Sequence, residues 1–588
     1  MKLNKIFFGF ALSTLAFTAC DDQMDYREVS VFDEQYVKTT FSRTGGLISQ
    51  IYTFLESDFG NYSGAVMGSA TDEAVFTRTG NAVQGFYNGS WGPTNSLDGG
   101  RWGKCWSGIS YANLFLDEFN NELFEEYKTD LNYKAQIFNY HNFQFEARAL
   151  RAYFYFELVR MYGDVPLKTT HMDAEEANKL ERRPADEIFK FIDDECVAIK
   201  DTIVKDYNKL VDENGIAMDL GRIESGRVNN LFVLALRARA ALYHASPLFS
   251  EGKSEAEKKA LWKAAVEANQ ELITACTMRT MKLQADYAAL FGTDNWSNAV
   301  ECIFVRRNIS ASNNFEKYNF PLGMAGAIGA NCPTQNLVDA YECTDGLSTA
   351  ESPLYDPQNP YANRDARLAL TIAVNGENWP SSNPNALETY VGGMHQNAAV
   401  TYGTTTGYYL KKYVNNSTII DGPSANSFRH HWIVFRLAEF YLNYAEAIMN
   451  YTGSGYEKDS YKWTAAEALN VVRKRAGQPD VQDGLTLDQF KQKYENERFV
   501  ELAFEGHRFY DVRRWKEATK YFTTINKMSI QKTADAVIDD EGNVVTPAQY
   551  SYKPELLETR QWNDRQYLFP IAQSEILKST ALTQNAGW

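Results

Sequence analysis

The sequence contains few cysteines and none of the short motifs that mark familiar catalytic sites. Its 588 residues include seven cysteines, and no two of them form a C-x-x-C pair. Neither an H-E-x-x-H zinc motif nor a G-x-S-x-G nucleophile motif occurs. Gly252-Lys253-Ser254 has the end of a phosphate-binding loop, but Pro247 stands where that loop has its first glycine. The sequence therefore gives no sign of a catalytic residue, a bound metal or a cofactor, and we expect none.

Basic charge is also scarce. The chain has 59 Lys and Arg against 75 Asp and Glu, which gives a net charge of −16. This balance repels phosphate backbones and anionic lipids, so nucleic acid and charged lipid surfaces are excluded as partners. No Pro-, Gly- or Ser-rich linker divides the chain, and no segment after residue 20 is apolar enough to span a membrane. We expect residues 20–588 to form one domain.

One hydrophobic run is present, close to the start of the sequence. Residues 6–17 are apolar or small, two lysines precede them, and two small residues follow. The run is shorter than the roughly 20 apolar residues that a transmembrane helix needs. A basic start, an apolar centre and a small-residue end are typical of a secretory signal peptide, which we assign to residues 1–19.

The residue after this segment is Cys20, and Asp21 and Asp22 come next. A cysteine directly after two small residues resembles the lipobox of bacterial lipoproteins, although Phe17 stands where that family usually has leucine. The resemblance implies lipidation of Cys20 and an acidic tether over residues 20–32. Acidic residues after the cysteine also resemble a surface-export signal. We expect a lipid anchor in the cell outer membrane, with the protein facing the exterior.

Apolar residues recur at helical spacing over much of the chain. Val228, Leu231, Ala235, Ala238 and Leu242, spaced three and four apart, form one stripe. Alanines on such stripes let helices approach closely. The stripes predict four helix pairs and an all-α fold. The pairs resemble tetratricopeptide-type packing and comprise residues 33–57 with 104–120, 141–162 with 185–200, 227–246 with 257–275, and 432–451 with 463–476.

Two long regions lack this periodicity. Residues 58–103 are rich in Gly, Asn, Ser and Trp, and residues 277–430 are rich in Gly, Asn, Pro and Tyr. Loops of such length in a compact chain are usually functional. We expect these two regions to form the ligand-binding surface on a helical scaffold.

Several longer motifs follow one another along the chain. They read EARALRAYFYFELVRMYGDVPL at 146–167, GRVNNLFVLALRARAALY at 226–243, TQNLVDAYECTDG at 334–346, RLAEFYLNYAEA at 436–447, ELAFEGHRFYDVRRW at 501–515, and YLFPIAQSEIL and LTQNAGW within 567–588. In this order and spacing they resemble the SusD/RagB family of outer-membrane nutrient-binding lipoproteins. The resemblance extends from the lipobox to Trp588.

The resemblance implies a fold, a function and a partner. Members of this family are all-α bodies with tetratricopeptide-like helix pairs and long binding loops, which places the scaffold at residues 33–276 and 432–476 and the family's C-terminal segment at 477–588. They act as lids on a SusC-like TonB-dependent transporter barrel. They hold a nutrient, most often an oligosaccharide, and deliver it to the barrel without acting as enzymes.

Most charged residues within the motifs are predicted to be structural. They lie on or beside helices, where opposite charges three or four residues apart form local pairs and Arg–carboxylate pairs tie helices together. Gly506 is expected to end one helix and to let His507 and Arg508 begin another. We therefore expect His507 to be structural.

A sugar-binding site needs exposed aromatic rings beside planar polar groups. The C–H face of a sugar stacks on an aromatic ring, and its hydroxyl rim bonds to Asp, Asn and Arg side chains. Glycan-binding relatives use the loop after an A-T-D-E-like stretch, here residues 70–73, and draw an aromatic from the stretch after an E-x-I-F segment, here residues 301–304. The predicted ligand-binding residues are Asp72, Arg78, Trp91, Asn95, Tyr87, Tyr318, Trp296 and Tyr402.

Two other functions stay open at this stage. The same lid could serve peptides or glycoprotein fragments, and a surface glycoside hydrolase would need a pair of carboxylates about 5–9.5 Å apart. Nothing in the sequence points to such a pair. The sequence does not name the sugar, because linkage and ring size depend on the curvature of loops that are distant in sequence.

Overall fold

A computed structural model describes residues 34–209, 226–293, 300–396, 403–541 and 543–588. The fold is largely helical, with 43% helix and 12% strand. The predicted signal peptide, Cys20 and the tether lie outside the described residues.

The helices carry the apolar stripes. Their bounds are α1 Glu34–Lys38, α2 Phe41–Thr53, α3 Arg101–Glu118, α4 Tyr133–Tyr162, α5 Ala174–Ala177, α6 Ala185–Ile199, α7 Asn230–Ala245, α8 Pro247–Ser250, α9 Glu255–Met278, α10 Asn314–Asn319, α11 Gln335–Ala340, α12 Ala366–Thr371, α13 Leu437–Thr452, α14 Ala465–Arg475, α15 Leu487–Glu501, α16 Arg508–Arg514, α17 Ala518–Tyr521 and α18 Gln573–Lys578.

The strands of the described ranges form two-stranded antiparallel ribbons, β1 with β5, β2 with β3, β4 with β8, β6 with β7, β9 with β12 and β10 with β11. Their bounds are β1 Ala74–Phe76, β2 Val165–Pro166, β3 Arg182–Arg183, β4 Cys302–Arg306, β5 Asn331–Pro333, β6 Ile372–Ala373, β7 Tyr409–Leu410, β8 Trp432–Arg436, β9 Thr524–Ala534, β10 Val537–Ile538, β11 Val544–Thr546 and β12 Gln549–Thr559.

The predicted helix pairs are confirmed as neighbours. Helix α2 contacts α3, α4 contacts α6, α7 contacts α9, and α13 contacts α14. Ala235, Ala238 and Ala445 are fully buried where these helices meet, as the alanine-bearing stripes require. Helix α9 begins at a capping box of Ser254 and Glu257, which satisfies two N–H groups at its first turn. The likeness to tetratricopeptide packing stays a prediction.

The prediction of helix from residue 432 is wrong. Residues Trp432–Arg436 form strand β8, which pairs with β4, and helix α13 begins only at Leu437. All five residues of β8 are buried. A short, continuously apolar and β-branched segment fits a buried strand as well as a helix, and its partner strand lies far away in sequence.

The C-terminal segment contains a long hairpin that the all-α prediction did not include. Strand β9 pairs with β12 over eleven residues each, with Met528 opposite Pro554. Ile525, Met528 and Ile530 of β9 are buried. The fold remains largely helical, consistent with the all-α prediction, and this hairpin is a β element that the prediction did not include.

Buried charges connect the scaffold to the second loop region. Arg436 Nη1 donates to Glu301 Oε1 at 2.8 Å and to Glu501 Oε1 at 2.6 Å, and its Nε donates to Glu505 Oε2 at 2.6 Å. Arg367 Nη1 lies 2.8 Å from Glu501 Oε2. Burial alone would raise the pKa of Glu501, but the neighbouring guanidinium groups of Arg475, Arg436 and Arg367 lower it. The network is charged and mutually paired.

The carboxyl group of Glu73 is also buried, but the neighbouring positive charges do not outweigh the effect of burial on its pKa. It is 1% exposed, and it accepts a hydrogen bond from the Phe504 backbone N–H at 2.8 Å. Burial raises its pKa to about 8 despite this bond. The folded protein therefore holds Glu73 protonated at neutral pH.

Glu73→Gln is expected to flatten the pH dependence of stability. Between the unfolded pKa near 4.5 and the folded pKa near 8, the folded chain keeps a proton that the unfolded chain has lost. The free energy of unfolding of the wild type should thus fall as pH rises through this window, by up to about 1.4 kcal/mol per pH unit. Glutamine imitates the protonated carboxyl, so the variant should be the more stable protein at pH 8.

Urea unfolding across this pH window measures the effect, with the exposed Glu126→Gln as a matched control that should retain the wild-type slope. Identical slopes in Glu73→Gln and the wild type would contradict the protonated state.

Candidate functional site

Strands β1 and β5 join the two predicted loop regions, since β1 belongs to residues 58–103 and β5 to 277–430. The Asn331 side chain extends this junction. It accepts a hydrogen bond from Val66 N at 3.1 Å and donates one to Gly64 O at 3.0 Å. We name the surface beside this ribbon the loop face, which comprises residues 57–64, 77–81, 306–318 and 428–431.

Tyr318 and Arg78 lie close together on the loop face. The half-buried Tyr318 ring lies against Gly64, whose φ is +95° and where any side chain would collide with the ring. Ala330 links the two neighbourhoods, because its N–H donates to Tyr318 O at 2.7 Å and its carbonyl accepts from Thr77 N at 2.9 Å. Arg78 follows directly and is half-buried. The structure therefore brings together these two predicted ligand residues.

A cleft of about 770 Å³ opens at the edge of the loop face. Its lining includes Tyr52, Arg306, Arg307, Arg429 and His431. Arg306 Nη1 lies 3.3 Å from the Ser57 hydroxyl, and burial lowers the pKa of both Arg306 and Arg307. Guanidinium groups present a rigid fork of donors that suits hydroxyl or carboxylate oxygens. Sequence reasoning missed this cleft, although the Arg306-Arg307 pair directly after the E-x-I-F segment was a signal for it.

Asp72 is not an exposed loop residue, so the prediction that it contacts ligand is wrong for this structure. Its side chain is buried, with the residue 2% exposed, and both carboxylate oxygens pair with Arg508 at 2.9 and 2.7 Å. Arg508 begins helix α16 and stacks near Phe499. The pair joins the first loop region to the C-terminal segment, in the role that was predicted for the charged motifs.

Trp91 and Tyr87 lie against the C-terminal segment. Trp91 is 3% exposed, its indole N–H donates to Ser96 O, and its ring meets Trp588 edge-on at 5.2 Å. Tyr87 is half-buried with the Arg560 guanidinium 4.0 Å above its ring, and burial raises its pKa to about 12. The predicted exposed aromatic role is therefore wrong for Trp91. Asn95 is exposed.

Two further predicted residues, Trp296 and Tyr402, lie outside the described residues.

The loop face also contains Phe59 and Asn61, which the sequence analysis did not select. Phe59 meets the Trp432 ring edge-on at 5.6 Å, and Asn61 is exposed.

Gly506 behaves partly as predicted. It has φ +77° and precedes α16, whose N-cap is His507, but helix α15 has already ended at Glu501. Burial, followed by the charges of Arg239 and Arg498, lowers the pKa of His507 well below its usual range. His507 is therefore neutral within the fold.

Within the described ranges, no three His, Cys, Asp or Glu side chains are grouped as metal ligands. The six cysteines in these ranges are free thiols. No described helix combines the length and apolar character that crossing a bilayer requires.

Two family models match the chain. The SusD family matches residues 301–588, and a family described as starch-binding and associating with the outer membrane matches residues 28–213. A curated relative, SusD-like protein P2 of Formosa agariphila, is 23% identical over 509 residues, which are 85% of this chain and 82% of the relative.

Solved structures share the fold. A SusD-like carbohydrate-binding protein from Bacteroides fragilis superposes with a TM-score of 0.71 at 22% identity, over 93% of this chain and 100% of that chain. Surface glycan-binding protein A from Bacteroides fluxus superposes with a TM-score of 0.60 at 19% identity, over 94% of this chain and 100% of that chain.

Arg508→Leu is expected to destabilise the fold by about 3–5 kcal/mol, because it leaves Asp72 charged and buried without its partner. The double variant Asp72→Leu/Arg508→Leu should recover most of this loss. Urea unfolding measures both, and Arg183→Leu, at an exposed position of β3, serves as the control. A loss below about 1 kcal/mol in Arg508→Leu would show that Asp72 is not held by this pair.

Proposed function

Because the chain belongs to the SusD family, we propose that it captures a glycan at the loop face and acts as the lid of a SusC-like TonB-dependent transporter barrel. The lid would hold an oligosaccharide and pass it to the barrel. The glycan-binding descriptions of its structural relatives support this class of ligand. The outer-membrane association of the matched family supports the location.

The observation that carries the proposal is the placement of Tyr318 on Gly64 beside Arg78. The missing side chain at Gly64 leaves room for the ring, and Gly64 itself is tied to β5 through Asn331. A half-buried ring held in this way offers a face for the C–H side of a sugar at little cost in side-chain entropy. Arg78 supplies donors for the hydroxyl rim.

The cleft at the edge of the loop face would extend the contact between the protein and the sugar. Arg306 and Arg429 line it, and their guanidinium groups can donate to pairs of neighbouring hydroxyl oxygens. Sugar hydroxyls exchange water hydrogen bonds for protein ones, so the affinity of each contact is modest. Modest affinity suits a protein that must release its cargo to the barrel.

The tether completes the proposed mechanism. Lipid on Cys20 would keep the lid near its barrel, and the short acidic leader over residues 20–32 would let it open and close. Tethering raises the effective concentration of the lid at its partner without any additional contact.

Tyr318→Ala is expected to weaken binding of the recognised oligosaccharide by about fivefold, since it removes one aromatic contact worth about 1 kcal/mol. Calorimetry against a panel of neutral and acidic oligosaccharides measures this, and Tyr461→Ala on the scaffold is the matched control. Binding of peptides with no binding of any sugar would favour the peptide-carrying lid. Release of sugar products from labelled glycans would favour a hydrolase.

Cys20→Ser is expected to release the protein from the envelope fraction and to reduce growth on the cargo, because the lipid can no longer be attached. Cell fractionation and growth assays measure both effects, and Cys105→Ser, at a buried thiol, is the control. A Cys20→Ser protein that still fractionates with the envelope and supports normal growth would contradict the anchor.

A further inference from the structure

We propose that the cleft between α3, residues 166–180 and residues 575–582 is a second carbohydrate-binding site, separate from the loop face. The inference deepens the proposed function and rests on it for the class of ligand. The cleft measures about 360 Å³, which lies at the lower end of the range of about 300–1,000 Å³ for ligand sites. This size suits a short stretch of a glycan chain. None of its lining residues belongs to the loop face.

Two tryptophans form the aromatic wall of this cleft. Trp102 and Trp106 meet edge-to-face, with ring centroids 5.6 Å apart. Trp102 is fixed from behind by Tyr162 at 4.9 Å and Trp106 by Tyr155 at 6.0 Å. Trp102 is buried and Trp106 half-buried, so the rings are anchored in the core and reach the cleft. Rigid rings of this kind bind a sugar face without first having to be ordered.

Both indole N–H groups are available to a ligand. Trp91, Trp515, Trp562 and Trp588 each donate an indole hydrogen bond within the protein. Trp102 and Trp106 donate none to any described residue, and neither nitrogen belongs to the fully buried polar atoms that lack a partner. Both nitrogens therefore reach solvent and can donate to a sugar hydroxyl.

Lys168 supplies a charged donor at the floor of the cleft. The residue is 5% exposed, and its Nζ lies 3.2 Å from Met172 O and 3.4 Å from Ser110 Oγ. These acceptors are neutral, while the nearby carboxylates of Asp173 and Glu176 favour the charged form of the ammonium group. An ammonium group has three N–H donors, so at least one is left for a ligand oxygen. Burial lowers its pKa, which a hydrogen-bonding ligand would offset.

The rim of the cleft contains acceptors. Asp173 caps α5 through one carboxylate oxygen, Oδ1, which accepts from Glu176 N at 2.8 Å, and the other oxygen is left for a ligand. Asn178 also lines the cleft, and its position is fixed because its backbone carbonyl accepts from Ser579 Oγ at 2.7 Å. Flat rings, donors and acceptors are thus combined within one small volume. An apolar peptide side chain would satisfy the rings and would leave Lys168 and Asp173 without partners.

Two sites on one chain would have a consequence for long glycans. A polymer that contacts the loop face and this cleft at once binds the second site intramolecularly, which raises the overall affinity by about 10²–10⁴-fold when the spacing allows it. A short oligosaccharide fills each site independently. Blocking the second site should therefore lower the affinity for a long polymer, and it should lower the number of short oligosaccharides bound per chain.

The test fills the cleft without removing any of its aromatic or charged groups. Ala174 is exposed and lines the cleft, so Ala174→Trp should block it, while Ala256→Trp in the first turn of α9 is the matched control. Calorimetry with the short oligosaccharide that the panel identifies should give two molecules per chain for the wild type and for Ala256→Trp, and one for Ala174→Trp. Affinity for the parent polymer should fall at least tenfold in Ala174→Trp alone.

Tryptophan fluorescence and Lys168→Met provide a second measurement. Titration with the oligosaccharide should change the emission of the wild type in two phases, and Lys168→Met should weaken one phase only. Binding of one molecule per chain that Ala174→Trp leaves unchanged would overturn the inference and leave the proposed function standing. Occupation of the cleft by apolar peptides and by no sugar would also overturn it. Absence of any glycan binding to the wild type would remove the proposed function and this inference together.

Discussion

A network of buried charge pairs holds the loop face in position. Glu501 and Glu505 on one side, and Arg436, Arg475 and Arg367 on the other, are almost fully buried and bonded to each other. Moving such groups out of water is costly, and only close mutual pairing offsets the cost. Since Arg367 belongs to the second loop region and Glu501 ends helix α15, the pairs that join the scaffold also determine where the loops lie. Asp72 and Arg508 repeat this arrangement for the first loop region. Closely paired buried charges favour one arrangement of the loops over its alternatives.

The helices could be predicted because their signal is local. The stripe from Leu231 to Leu242 lies within α7, Val228 directly precedes the N-cap of this helix, and the alanines of the stripe are buried as expected. Strand β8 could not be separated from the helix that follows it, because β4, which pairs with it, begins 130 residues earlier in the sequence and is identified only in the fold. The hairpin of β9 and β12 has a buried face at one end and is exposed on both faces at the other. Apolar and polar residues do not alternate steadily along such a strand, so the sequence gives little indication that the segment belongs to a sheet.

Predicting the site from the sequence was less successful, for a physical reason. Composition identifies a loop with aromatic and planar polar residues, but it does not show which rings face solvent. Tyr318 was selected and lies on the loop face. Trp91 was selected for the same chemistry and is buried, because Phe569 and Trp588 cover it. Trp106 packs against the core and also lines an open cleft. In each case, burial depends on a segment that is remote in sequence.

The contact between the first loop region and the C-terminal segment also constrains the order of events after synthesis. Gln566 donates its amide to Phe86 O across 480 residues, and Trp588 lies on Trp91. Loop closure over such a separation is slow compared with helix formation. Helices of the scaffold can form from local contacts, while the segment around Phe86 cannot complete its contacts until residues 566–588 have been synthesised. Until then Trp91 lacks the cover that Phe569 and Trp588 give it in the folded protein.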